Sequence, residues 1–144
     1  MSIVIGVDPD SSKYGIAIYI DGKLDDLLMM PLPEIIYDLL QAERYNYAKW
    51  SVENVAGQSY QYARNKKQSA GANMAQMRSV GMCQQAQTEL VRVLEFNNRD
   101  VVLIKPQRGN WAKNKAQFEK VTGWTRRSNE DTRSAAYFGW LALK

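Results

Sequence analysis

The chain contains no histidine. That absence excludes a serine–histidine–aspartate triad, a cysteine–histidine nucleophile pair and histidine-bound zinc. A single cysteine, Cys83, precludes an internal disulfide and suits a reducing cytosol. With no histidine to activate it, Cys83 reads as a packing residue on a helix and not as a nucleophile. Long apolar runs are missing too. None approaches the ~20 residues that cross a bilayer, so no membrane partner is expected. The N-terminal residues enter a strand pattern directly, without the basic segment and apolar stretch of a secretory leader. There is no internal repeat, no low-complexity tract and no glycine-rich phosphate loop. Any chemistry this chain performs therefore rests on carboxylates, lysines or a bound metal.

What is present describes an ordinary folded domain. The 144 residues are 45% hydrophobic and 24% charged, enough apolar material for a core, and the length predicts one domain over 1–144. A formal net charge of +4 is compatible with a polyanionic partner without requiring one.

Ile3-Val4-Ile5-Gly6-Val7 is a β-branched run that ends at Asp8, which predicts a buried strand. Pro9-Asp10-Ser11-Ser12 is turn chemistry. Tyr14–Ile20 and Lys23–Met30 read as two strands joined by an Asp21-Gly22 hairpin. Pro33 opens a helix predicted to run to about Glu43, with Ile35, Ile36, Leu39 and Leu40 on one face. Lys49 to Val55 reads as a fourth strand. Gly57 to Gly71 lacks periodicity and reads as a loop or weak helix start. Met82, Ala86, Leu90 and Val93 recur at helical spacing in a long helix from about Ala72 to Phe96. Val101–Ile104 is a fifth strand closed by Pro106. A short helix is predicted over Ala112–Val121, interrupted at Gly123, and a final helix over Glu130–Leu143 is capped by Ser128 or Asn129. A three-stranded meander followed by alternating helices and strands is a mixed-sheet α/β layout.

Three acidic positions stand out. Asp8 ends a buried strand, where an unpaired carboxylate is costly and a divalent cation is one remedy; a turn cap for Ser11 or Ser12 is the other reading. Glu53 interrupts an apolar strand, as a metal ligand or as a solvent-facing side chain. Glu130 and Asp131 open the last helix, where acids also serve the helix dipole. Strands one and four can be neighbours in this layout, which brings Asp8 and Glu53 together. Hard divalent cations prefer such oxygen ligands, and a pair of ions about 4 Å apart can hydrolyse a phosphodiester without histidine. Charge distribution points the same way. No Asp or Glu lies between Glu53 and Glu89, a stretch carrying Tyr60, Tyr62, Arg64, Lys66, Lys67 and Arg78. A second acid-free stretch holds Lys105, Arg108, Trp111, Lys113 and Lys115, and Arg126 and Arg127 precede the acidic pair. Cations bind phosphates and aromatic faces stack on unpaired bases, so nucleic acid is favoured over plain solvated loops.

Taken in order, these segments resemble a known family. Ile5-Gly6-Val7-Asp8-Pro9-Asp10-Ser11-Ser12 with Tyr14-Gly15-Ile16-Ala17 resembles the opening of RuvC-type Holliday junction resolvases. Ser51-Val52-Glu53-Asn54-Val55 is similar to that family's second acidic motif. Met77-Arg78-Ser79-Val80-Gly81, continuing to Glu89-Leu90, resembles the helix after it, and Asp131-Thr132-Arg133-Ser134-Ala135-Ala136 resembles the last motif. The resemblance implies an RNase H-like fold, a mixed five-stranded sheet with helices on both faces. It also implies a homodimer that makes paired incisions in four-way junctions and, in small phage-type members, in other branched DNA. Asp8, Glu53 and Asp131 fall on the metal-binding carboxylates, for two Mg2+ ions that Mn2+ can replace. The fourth position falls on Ser134, a departure. Glu130 takes over that role, the register is shifted, or the second metal site is weak. Asp10 stands where a Gly is often found, as an outer-shell ligand or an exposed side chain. Lys113 or Lys115 is expected to neutralise charge building on the phosphate. The helix around Gly81, Met82, Cys83 and Ala86 is either the dimer face or ordinary packing against the sheet. The main rival is the same fold acting as an inactive junction-binding protein. An actin-like or sugar-kinase-like ATPase also opens with strand–Asp–turn–strand, but needs two such domains. A bacterial cytosol or a phage-infected host cell is the expected setting.

Overall fold

The structure is a computed structural model, and it describes residues 1–55 and 70–143. Five strands form one mixed sheet in the order β3-β2-β1-β4-β5. They are β1 (Ile3–Asp8), β2 (Tyr14–Ile20), β3 (Lys23–Met30), β4 (Lys49–Glu53) and β5 (Asp100–Ile104). The meander β1-β2-β3 is antiparallel, whereas β4 runs parallel to both β1 and β5. β1 is therefore central, which explains its unbroken apolar run: a strand covered on both faces has no solvent side to make polar.

Alternation along β1 separates two cores. Ile3, Ile5 and Val7 face one side with Trp50 and Val52 of β4. Over them lies α2 (Ala70–Phe96), through Ala86, Leu90 and Leu94. Val4 and Gly6 face the other side, where Ala135, Ala136 and Phe138 of α4 (Glu130–Leu141) pack with Ala17, Tyr19, Trp111 and Phe118. The last of these sits on the short α3 (Lys115–Thr122). Helices thus cover both faces, as the sequence pattern and the resemblance implied.

Where a single helix was expected from Pro33 to Glu43, the chain makes one α-helical turn, α1 (Leu32–Glu34), and then widens into a π-helical Ile35–Leu40. A 3-10 turn follows at Glu43–Tyr45. The physical cause is tertiary. Arg99, just before β5, donates from Nη2 to the Leu40 carbonyl at 2.8 Å and from Nη1 to the Tyr45 carbonyl at 3.1 Å. These bonds satisfy carbonyls that a continuing α-helix would have used. β4 also stops at Glu53, two residues earlier than expected. The segment after it is taken up by α2, where Gln87 Nε2 donates to Asn54 Oδ1 at 3.0 Å and Gln84 Nε2 to the Val55 carbonyl at 3.2 Å.

Three glycines set the distance between α4 and the sheet. A Cβ on Gly6 would stand 2.6 Å from the Gly139 nitrogen and closer still to the Ala135 oxygen. One on Gly15 would lie 2.7 Å from the Asp131 carbonyl carbon, and one on Gly139 would meet the Tyr19 ring at 2.8 Å. Only glycine lets backbones approach this closely. Ser51 Oγ donates to the Phe138 carbonyl at 2.7 Å and Tyr19 Oη to the Ala136 carbonyl at 2.6 Å, fixing the helix in that seat.

Candidate active site

The sheet topology carries the acids to one place. Asp8 pairs with Gly15 across the β1–β2 ladder, and Gly15 supports the Asp131 backbone. The parallel register Val7↔Val52, carried one residue on, sets Asp8 beside Glu53. Strand parity then turns both carboxyls toward the face covered by α4. Asn129 and Thr132 form a reciprocal cap that holds the start of α4 and hence Asp131: the Thr132 amide donates to Asn129 Oδ1 at 2.8 Å, and the Asn129 amide to Thr132 Oγ1 at 2.9 Å.

The electrostatics of the cluster are those of crowded acids. Burial pushes Asp8 up to about 8, and the fields of Glu53 and Asp131 add to it, while a hydrogen bond from Ser134 opposes them. Glu53 is also raised, chiefly by burial, and is relieved by its hydrogen bond with Asp8. Both carboxyls are thus raised, and two acids this close favour holding one proton between them. Asp131 is raised by burial, then by Asp10, then by Glu130. Among the described residues, no lysine or arginine acts on Asp8.

The sequence-nominated residues divide as follows. Asp8, Glu53 and Asp131 come together. Glu130 is exposed and acts on Asp131 less than Asp10 does. The turn Asp10 also accepts the Ser11 amide at 2.6 Å. Arg78 is exposed on α2; Arg108 and Lys113 are exposed between β5 and α3, and Lys115 is exposed at the start of α3. Tyr60, Tyr62, Arg64, Lys66 and Lys67 lie outside the described residues. Cys83 lies on α2: burial raises its thiol, with further contributions from the fields of Asp10, Asp8 and Glu53. A thiol held protonated in a negative field is a poor nucleophile, in keeping with a packing role.

Sequence reasoning missed two residues here. Ser134, noted only as a departure, is buried one helical turn beyond Asp131 and acts on Asp8 in the sense that favours its carboxylate. Asn110 was not nominated at all, yet its Nδ2 donates to Ser134 Oγ at 2.9 Å. A small polar residue inside the apolar run of α4 was the available signal for the first; nothing local announces the second.

The donor set is all oxygen, half-buried and without a cationic partner among the described residues, which fits a hard divalent cation in chemistry. Among the described residues no three acidic, cysteine or histidine side chains already stand in metal-holding geometry. Asp8 and Glu53 are instead closed on each other by their hydrogen bond.

A mixed sheet of this strand order, covered by helices on both faces, is an α/β fold of the RNase H-like kind. Its likeness to solved structures is more particular. The fold is that of Thermus thermophilus RuvC: a structure described as "RuvC in complex with Holliday junction substrate" superposes with TM-score 0.59 at 13% identity, covering 96% of this chain and 90% of that one. A second T. thermophilus RuvC structure gives TM-score 0.58 at 14% identity, covering 96% and 91%. No family model and no curated protein matches the sequence. No helix among the described residues is long and apolar enough to cross a membrane.

Proposed function

We propose that the chain is a metal-dependent, structure-specific endonuclease that resolves Holliday junctions, and other branched DNA, by phosphodiester hydrolysis. The observation that carries this reading is the convergence of Asp8, Glu53 and Asp131 at one end of the sheet, with no basic side chain among the described residues acting on Asp8. Buried carboxyls in each other's field demand a proton or a cation. The fold shared with a protein solved on a Holliday junction supports the substrate class.

Asp8, Glu53 and Asp131 hold Mg2+, or Mn2+ in its place, two ions per site, with Glu130 completing the set from the first turn of α4. Bound there, the ions supply Lewis acidity at the scissile phosphate and a water of lowered pKa. The chain's own residues do the rest. Asp8 and Glu53 give up their shared proton and fix the ligand oxygens. Lys113 and Lys115 neutralise charge developing on the phosphate, and Arg78 and Arg108 hold neighbouring phosphates. The remaining binding residues, Arg64, Lys66, Lys67 and the base-stacking Tyr60 and Tyr62, act from the segment after Glu53. A homodimer sets one site against each of two equivalent strands of a four-way junction. Its face is α2, where Met74, Met77 and Met82 are exposed, while Ala86 is spent on the core.

Ser134 in place of a fourth acid favours a second reading, a junction-binding protein that does not cut. One gel experiment with a synthetic four-way junction separates the two. Wild type is expected to nick in Mg2+ or Mn2+, and Asp8→Asn to bind without cutting. Binding with no cleavage by wild type in either ion establishes the second reading. Full Mg2+-dependent cleavage by Asp8→Asn removes Asp8 from the mechanism.

A further inference from the structure

Residues 105–114 join β5 to α3 without regular structure, and they expose Arg108 and Lys113. Cations on such a connection ordinarily swing with it. Here the backbone is seated on α4 by three different contacts. Trp111 is buried among aromatic rings, its centroid 5.2 Å from Tyr137 and 5.1 Å from Trp140 of α4, and 5.9 Å from Phe118 of α3. Asn110 Nδ2 donates to Ser134 Oγ at 2.9 Å, while its Oδ1 accepts from the Ala112 amide at 2.8 Å. The third contact is Arg133, half-buried and two residues beyond Asp131 on α4. Its Nε and Nη2 both donate to the Ala112 carbonyl, at 3.0 and 2.9 Å, and its Nη1 donates to Ser128 Oγ at 3.0 Å. All three nitrogens of the guanidinium thus face neutral oxygens of the protein. Only a planar fork makes the paired bonds to one carbonyl; a lysine ammonium supplies a single point of attachment.

We propose that Arg133 is a positioning residue that clamps the basic segment 108–113 to the helix carrying Asp131, so that a phosphate gripped by the segment is held at a fixed offset from the acids. The proposal rests on the nuclease reading for its effect on turnover, but not for its effect on the segment. Lys113 follows directly on Ala112, and Arg133 shares a helix with Asp131, so one side chain joins the nearest cation to the acid. Without the clamp, Trp111 still anchors the segment, but the backbone at Ala112 and Lys113 can pivot about it. The cations then still reach phosphates. The phosphate between the acids occupies the productive place for a smaller share of the time.

The test is Arg133→Gln, which removes the fork, with Arg133→Lys as a second variant that keeps the charge and can restore one bond. Limited trypsin digestion of the protein without DNA is read by mass spectrometry at Arg108 and Lys113, with the exposed Arg44 as reference site. Arg133→Gln is expected to be cut in the segment on the order of tenfold faster than wild type, and at Arg44 at the wild-type rate. On a four-way junction it loses on the order of tenfold in kcat with KM unchanged. Arg133→Lys lies between Arg133→Gln and wild type in both readouts. The slope of log affinity against log salt stays at the wild-type value in Arg133→Gln, because the group removed does not itself contact phosphate. Wild-type resistance at Arg108 and Lys113 in both variants overturns the clamp. So does cutting that rises equally at Arg44 in both, since the loss is then of the whole fold. A salt slope lowered by about 1 in Arg133→Gln with kcat unchanged overturns it too, and makes Arg133 a phosphate contact. A wild type that never cuts DNA overturns the nuclease reading instead, and the digestion still decides the clamp.

Discussion

Replacing Gly15 by alanine tests how finely the site is set. The new Cβ would stand 2.7 Å from the Asp131 carbonyl carbon and closer to its oxygen, so the first turn of α4 must withdraw. Restoring ordinary contact takes roughly 1 Å, and a displacement of that size at a reacting centre costs on the order of 10²-fold in rate. The packing strain destabilises the fold by about 1–3 kcal/mol, short of unfolding a typical domain. Gly22→Ala is the control. Gly22 sits in the hairpin turn at φ +83° with open space around it, so alanine there costs about 1 kcal/mol through backbone strain and displaces nothing near the acids. Urea denaturation gives the stability of both variants. Single-turnover cleavage of a four-way junction in Mg2+ and Mn2+ calorimetry without DNA report on the site. Gly15→Ala is expected to lose cleavage and ion affinity far out of proportion to its stability, and Gly22→Ala to keep both. Wild-type ion affinity and cleavage in a folded Gly15→Ala protein would refute the argument that this contact places Asp131.

Two further outcomes follow from the site and its surroundings. Asp8 titrates near 8 in the native state against an ordinary 3.8, so between about pH 4 and 8 the native protein holds a proton that the unfolded chain has released. Stability of the metal-free protein therefore falls as pH rises through that window and levels above it, and Mn2+ at pH 8.5 raises the melting temperature by replacing the proton; a flat profile from pH 5 to 8 contradicts the crowding of the acids. Changing Arg108, Lys113 and Lys115 together to glutamine is expected to weaken junction binding and to lower the slope of log affinity against log salt by up to about 3, read by fluorescence anisotropy across a salt series.

The strands and the acids were legible in the sequence for the same reason. A carboxylate that ends an apolar β-branched run, as Asp8 and Glu53 do, breaks a local pattern and can be seen without coordinates. The meander was equally visible, since alternation and the Asp21-Gly22 turn are local signals. What escaped is set by partners remote in the chain. The helix at Ile35–Leu40 ends on a carbonyl that accepts from Arg99, 59 residues beyond Leu40. The bond from Asn110 to Ser134 spans 24 residues. Asp10 was readable as a turn residue, but its action on Asp131 arises only because α4 folds back over β2. Glycines at positions 6 and 139 were visible as interruptions of apolar elements, but the sequence alone did not pair them.

The order of the chain has a consequence for when the acid cluster is assembled. Asp8 and Asp131 belong to opposite ends of the sequence, and the helix carrying Asp131 seats on strands made more than a hundred residues earlier. A ribosome must release the chain through that helix before it can dock. A product that stops ahead of the helix carrying Asp131 lacks one of the three acids, so the proposed cutting site is incomplete in it.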